Sequence, residues 1–183
     1  MSDILKGVRP LDYVLAGVLT LAGVFMMYEN IAAGDDSSLP HPVSTTSWLI
    51  VPVFLLTTLP ILWRRRNVLA VVGVTTAATA VHVLAFGWLT RCGVLLPVSF
   101  ALAYAVARFA GGPRRQVAGL AGILIMQLVV LVRDSSIDDV ASALPLSIPA
   151  AAIFYGIGLA VQNRVSRNQQ AAAAVPVAER TAA

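Results

Sequence analysis

Thr57-Thr58-Leu59-Pro60-Ile61-Leu62-Trp63-Arg64-Arg65-Arg66 closes one apolar run, and a second begins at Val68 and lasts about twenty residues. A tryptophan followed by three arginines marks the place where a membrane helix meets the cytoplasmic surface. The chain then turns back at once. This turn orients the rest of the sequence.

The composition agrees. Of 183 residues, 58% are hydrophobic and 12% charged, about half the charge of a soluble domain. Mean hydropathy is +0.81. So few charges cannot cover a water-soluble surface, and the apolar runs are too long for one small core. The pI of about 9.8 does not point to nucleic acid, because the basic residues sit in short clusters between apolar runs. Cys92 is the sole cysteine, so neither an intrachain disulfide nor a thiolate metal site can form.

Taken in order, the sequence predicts six transmembrane helices, at about 11–33, 47–63, 68–88, 93–110, 116–132 and 143–162. Together they make residues 1–167 one all-α, polytopic membrane domain. Ile31-Ala32-Ala33 is a passable signal-peptide cleavage context, but the long apolar stretch and the placement of Asp12 and Glu29 at its ends favour a retained helix. Trp48 and Trp63 lie fifteen residues apart, about 22 Å at helical rise, which sets one tryptophan near each interface. Pro52 and Pro60 are expected to kink the second span. Pro145 suits the start of the sixth. Residues 168–183, rich in Ala and Gln and interrupted by Pro176, are expected to be a disordered cytoplasmic tail.

Charge sidedness tests the helix count independently. The N-terminus, the 64–66 turn, the 108–115 turn and the tail hold eleven of thirteen basic residues; only Arg91 and Arg133 fall on the other side. That other side holds six of nine acids. The positive-inside rule then puts both termini in the cytoplasm, with Trp63, Arg64, Arg65, Arg66, Arg114, Arg115, Arg164 and Arg167 as topology anchors in a multi-pass inner-membrane protein. An odd number of spans would spoil the partition.

His82 is the one ionisable residue well inside a span. It is either a pH- or signal-sensing group or a neutral histidine bonded to a neighbour's carbonyl or to a threonine, with Thr75, Thr76 and Thr79 on its own helix. Arg91 and Arg133 lie among Asp134, Asp138 and Asp139, where they snorkel to the interface, pair with those acids or hold an anionic signal. His41 with Asp35 and Asp36 lacks recognisable metal-ligand spacing and reads as a solvated loop. Gly17, Gly23, Gly119, Gly122, Gly156 and Gly158 read as helix-packing positions. No phosphate-binding loop, metal cluster or nucleophile elbow appears, so the chain is not expected to be an enzyme and no cofactor is expected.

Three pieces in order carry a family resemblance: Arg9-Pro10-Leu11-Asp12 before an Ala/Leu/Gly-rich helix, Leu59-Pro60 through Arg66, and Ala103-Tyr104-Ala105-Val106-Ala107-Arg108 followed by Gly112-Pro113-Arg114-Arg115. The chain resembles the N-terminal multi-helix membrane region of actinobacterial two-component sensor histidine kinases over roughly residues 5–167. Ala178-Glu179-Arg180-Thr181 is similar to the stretch before that family's histidine box. The resemblance implies a sensor module, acting as a homodimer or paired with a sensor kinase within the lipid bilayer. It does not imply kinase activity, because the phosphoacceptor and ATP-binding domains have no counterpart in these residues. A small transport or permease subunit is the alternative.

Overall fold

The computed structural model describes residues 7–33 and 38–181, with side chains through residue 173. Six α-helices follow one another: α1 (Pro10–Ala33), α2 (Ile50–Thr58), α3 (Val68–Phe86), α4 (Cys92–Phe109), α5 (Pro113–Val132) and α6 (Val140–Thr181). A 3₁₀ segment, Leu59–Trp63, continues α2. Among the described residues there is no strand; one isolated bridge joins Leu89 to Asp134.

Five helices, all but α2, are long and apolar enough to cross a membrane. Their outward faces agree with that solvent: Leu84 is 85% exposed and Leu146 76%, an exposure of large apolar side chains that lipid tolerates and water penalises. The chain is an all-helical protein whose helices suit a multi-pass membrane arrangement.

The second predicted span is the exception. It forms nine α-helical residues and five 3₁₀ residues, fewer than the roughly 17–25 expected of a spanning helix. The cause is local. Pro60 has no N–H to donate to the carbonyl four residues back, and its ring crowds that turn. The hydroxyls of Thr57 and Thr58 bond the carbonyls of Phe54 and Leu55 at 2.6 and 3.3 Å. The helix tightens rather than continuing. Even so, the segment traverses the bundle, since Ile50 meets His82 while Arg64 meets Asp12.

Those two contacts define the ends of the molecule. The basic end holds the start of α1, the 64–67 turn and the 110–112 turn. The loop end holds the connections 38–49, 87–91 and 133–139. At the basic end Asn67 caps α3, its Oδ1 accepting from the Ala70 N–H at 3.2 Å. At the loop end Asp139 caps α6 by accepting from the Ser142 N–H at 2.7 Å. That cap starts α6 at Val140, so Pro145 lies inside the helix rather than at its start.

α6 also runs on through Thr181, past the end expected near Gln162. The Ala-rich composition that suggested a loose tail is also the strongest intrinsic helix former. The anchors Arg164 and Arg167 lie exposed on this extension. Lys6, Asp35 and Asp36 from the charge partition lie outside the described residues, as does the side chain of Arg180.

α4 is the hub. Leu95, Val98, Leu102, Ala103, Ala105 and Val106 are completely buried, and α4 touches α1, α2, α3, α5 and α6. Its closest neighbour is α6, and Gly158 makes that approach possible. A Cβ at Gly158 would sit 2.7 Å from both the Ala107 Cβ and the Tyr104 carbonyl oxygen. Because one obstacle is backbone, the helices would have to part. Gly158→Ala is expected to cost about 2 kcal/mol. Gly156→Ala, with nothing within 4 Å of its Cβ, is expected to be neutral or slightly stabilising. Thermal unfolding of the two variants in detergent checks this; equal midpoints would refute the close α4–α6 packing.

Candidate functional site

Polar groups without partners are costly at membrane depth, and the buried charged, imidazole and amide side chains among the described residues fall into three hydrogen-bonded groups. The largest is at the loop end, around Arg91. This residue precedes α4 and is fully buried. Its guanidinium donates to the carbonyls of Gly87 (2.7 Å), Arg133 (2.7 Å) and Leu89 (3.4 Å). Its Nε donates to His82 Nδ1 at 3.1 Å. Gly87, at φ +65°, ends α3 and turns its carbonyl toward Arg91.

His82 is also fully buried, with its ring edge-on to Phe54. Because Nδ1 accepts from Arg91, the ring proton belongs on Nε2, which donates to the Ile50 carbonyl at 3.1 Å. The imidazole therefore joins α3, the start of α2 and the turn before α4. Its partners are a carbonyl and an arginine, not the threonines of its own helix; Thr79 bonds back to the Thr75 carbonyl.

Asp134 completes the group. One carboxylate oxygen accepts from the backbone N–H groups of Arg91 and Cys92, each at 2.6 Å, and so caps α4. The other accepts from the Ser136 N–H at 3.0 Å and from its hydroxyl. Asp134 binds the Arg91 backbone rather than its guanidinium. Burial pulls the Arg91 pKa down to about 10, with the negative charge of Asp134 opposing the shift, so Arg91 stays charged at neutral pH. Snorkelling is thus corrected for Arg91: its side chain points into the protein, toward backbone carbonyls of the 87–89 and 133 turns.

Arg133 behaves differently. Its guanidinium lies 5.5 Å from the Trp88 ring centroid, and Trp88 stacks on His41 at 4.0 Å. His41 bonds the Asp138 carbonyl at 3.1 Å. Ser44 exchanges two hydrogen bonds of 2.9 Å with the Trp88 backbone. Asn30 pairs with both the N–H and the C=O of Thr90, at 2.9 and 3.0 Å. The 38–49 segment, the 87–91 turn, the 133–138 turn and the end of α1 are thereby joined in one network.

The second group is at the basic end. Asp12, fully buried, accepts from Arg64 (2.8 Å), Arg65 (2.8 Å) and the Arg9 N–H (3.0 Å). Arg64 is itself buried, and Arg65 lies 5.0 Å from the Phe109 ring centroid. Two of the anchors around Trp63 therefore hold α1 to the 64–67 turn as well as sitting at a helix end. Arg66, Arg114 and Arg115 are exposed. The last two sit at the N-terminus of α5, where the helix dipole disfavours cations, so helix stability does not explain them.

The third group was not singled out from sequence. Gln127 on α5 donates to the Ser99 hydroxyl on α4 at 3.0 Å and to the Ser147 carbonyl on α6 at 3.4 Å. All three residues are buried. A lone glutamine inside an apolar run was the available signal.

No family model, curated protein or solved structure matches this chain. Its reading therefore rests on its own sequence and geometry.

Proposed function

We propose that this chain is a membrane sensor module of the two-component kind, with six crossings, both termini in the cytoplasm and location in the inner membrane. In this reading the short α2–3₁₀ segment is the sixth crossing. The observation that carries the proposal is α6: a 42-residue helix, about 63 Å long, that leaves the bundle at the basic end. A hydrocarbon core of about 30 Å accounts for only half of that length. A continuous helix that is packed closely on α4 and extends beyond the bundle can carry a shift in packing to whatever follows it. The family resemblance supplies the direction: a dimerising segment and kinase domains, in this chain or in a partner. The chain itself is not assigned catalysis, a cofactor or nucleic-acid binding.

A small transport subunit is the second reading, favoured by Gln127, Ser99 and Ser147 meeting inside the bundle. One experiment separates the two. The kinase portion of a sensor histidine kinase is joined after Gln170, and one to seven alanines are inserted between Gln162 and Arg167. Autophosphorylation is expected to swing by at least about fivefold with the period of the helix. A flat response across all seven insertions would overturn the sensor reading.

A further inference from the structure

Between α5 and α6, on the outer side of the bundle, lies a cavity of about 230 Å³. Ile123 and Ala151 form its floor and are buried, while Leu124 and Ile148, 42% and 45% exposed, stand at its rim. Gln127 lies toward its loop end and Tyr155 toward its basic end. The Tyr155 hydroxyl donates to Gln116 Oε1 at 2.7 Å and so ties α6 to the start of α5. The cavity exists because α6 is drawn to α4 at Gly158 and meets α5 with the short side chains of Ala151 and Ala152. From Leu120 to Gln127 it follows α5 for about 11 Å.

Its polar atoms are not all in use. Gln127 is only 1% exposed. The Ser147 carbonyl can only accept, so the amide turns Nε2 toward it and toward Ser99. Oε1 then accepts no hydrogen bond from the described residues. Beside it Ser147 Oγ, also buried, has no hydrogen-bond partner among them either. A glutamine that served only to tie α5 to α4 and α6 gains nothing from an acceptor left without a donor. The rest of the wall, as far as Tyr155, is aliphatic. A guest that answers the amide at one end therefore has hydrocarbon to cover along the other.

We infer that the α5–α6 cavity is a binding site for a small lipid-soluble alcohol or phenol, its hydroxyl donating to Gln127 Oε1 and its hydrocarbon body lying along Ile123 and Ala151 toward Tyr155. The size agrees. An apolar cavity of about 150 Å³ takes up benzene, so this one holds a ring or short chain with a few more carbons. A carboxylate would set its own oxygens against Oε1, and an ammonium would find no counter-ion, since no charged side chain lines the cavity. A lipid acyl chain fits the wall but leaves Oε1 without a donor. On the sensor reading, a guest here presses on the helix that leaves the bundle. The binding itself needs the bilayer as solvent but not the sensor role, so the helix-insertion experiment and this one fail independently.

The full chain is reconstituted in phosphatidylcholine bilayers and photolysed with a diazirine-bearing octanol, or with a diazirine-bearing octane at the same mole fraction in the bilayer. Peptide mass spectrometry is expected to find the alcohol on residues 120–127 and 148–155, displaced by excess plain octanol. Labelling by the alcohol is expected to exceed that by the alkane about fivefold, the factor that one hydrogen bond contributes. Gln127→Leu is expected to bring the alcohol down to the level of the alkane. Ala152→Phe, which fills the cavity from its exposed rim and leaves Gln127 in place, is expected to abolish both. If Gln127→Leu loses its helical circular dichroism, the Ala152→Phe chain and the alcohol-to-alkane ratio of the unaltered chain decide. Equal labelling by alcohol and alkane would overturn the inference and show that hydrocarbon alone occupies the cavity. A preference that survives Gln127→Leu would also overturn it, as would labelling that Ala152→Phe leaves undiminished or that octanol does not displace.

Discussion

Arg91→Met is expected to lower the stability of the folded bundle by about 4 kcal/mol, the largest effect of any single substitution considered. The side chain is fully buried and serves three carbonyls and the His82 ring. Methionine fills much of the volume but donates nothing. Each buried acceptor left without a donor costs about 1–3 kcal/mol, and partial relaxation keeps the total below their sum. Arg91→Lys keeps the charge but replaces a planar fork by a single ammonium. It is expected to recover less than half of the loss. Unfolding in mixed micelles of increasing sodium dodecyl sulfate, followed by circular dichroism, measures both variants. Full recovery by lysine would show that charge alone matters and that the fork geometry does not.

The second large effect is expected at the other end of the molecule. Asp12→Ala should cost about 3 kcal/mol, because it strands Arg64, whose side chain is only 9% exposed, beside a second guanidinium. Arg65 is more accessible, so Arg65→Gln is expected to cost about 1 kcal/mol or less. The double variant Asp12→Leu/Arg64→Met should recover most of the Asp12→Ala loss, since removing both buried charges removes the desolvation penalty with them. The same micelle titration reads all three. A double variant no more stable than Asp12→Ala would mean that Asp12 acts through the Arg9 backbone N–H rather than through the ion pair.

Both predictions concern charges whose side of the membrane is written in the sequence but whose partners are not. Arg64, Arg65 and Arg66 look alike as a run, and the positive-inside rule treats them alike. In the folded chain Arg64 and Arg65 share one carboxylate from a helix about fifty residues away, and Arg64 is buried where Arg66 is exposed. Arg91 and Arg133 likewise look equivalent among aspartates. One is wholly internal and the other lies over Trp88, and only the packing of the 87–91 and 133–136 turns separates them. The third polar group was harder still to anticipate. Gln127, Ser99 and Ser147 are singly unremarkable residues in three different apolar runs.

By itself, the sequence determined the helical class, five of the six long apolar helices expected from it, the turn after Trp63 and the clustering of arginines at particular turns. These follow from composition and local order: apolar runs need lipid or a core, and basic residues resist burial in hydrocarbon. The short second helix tightened at Pro60, and the Asp139 cap that starts α6, are also local effects, of proline at position 60 and of a side chain three residues before Ser142. Tertiary structure alone decided that His82, Arg91 and Asp134 would meet, and that Gln127 would reach Ser99 and the Ser147 carbonyl. The physical reason is the same in each case. A buried polar group takes the nearest satisfiable partner in space, and that partner is set by which helices pack together, not by neighbours along the chain.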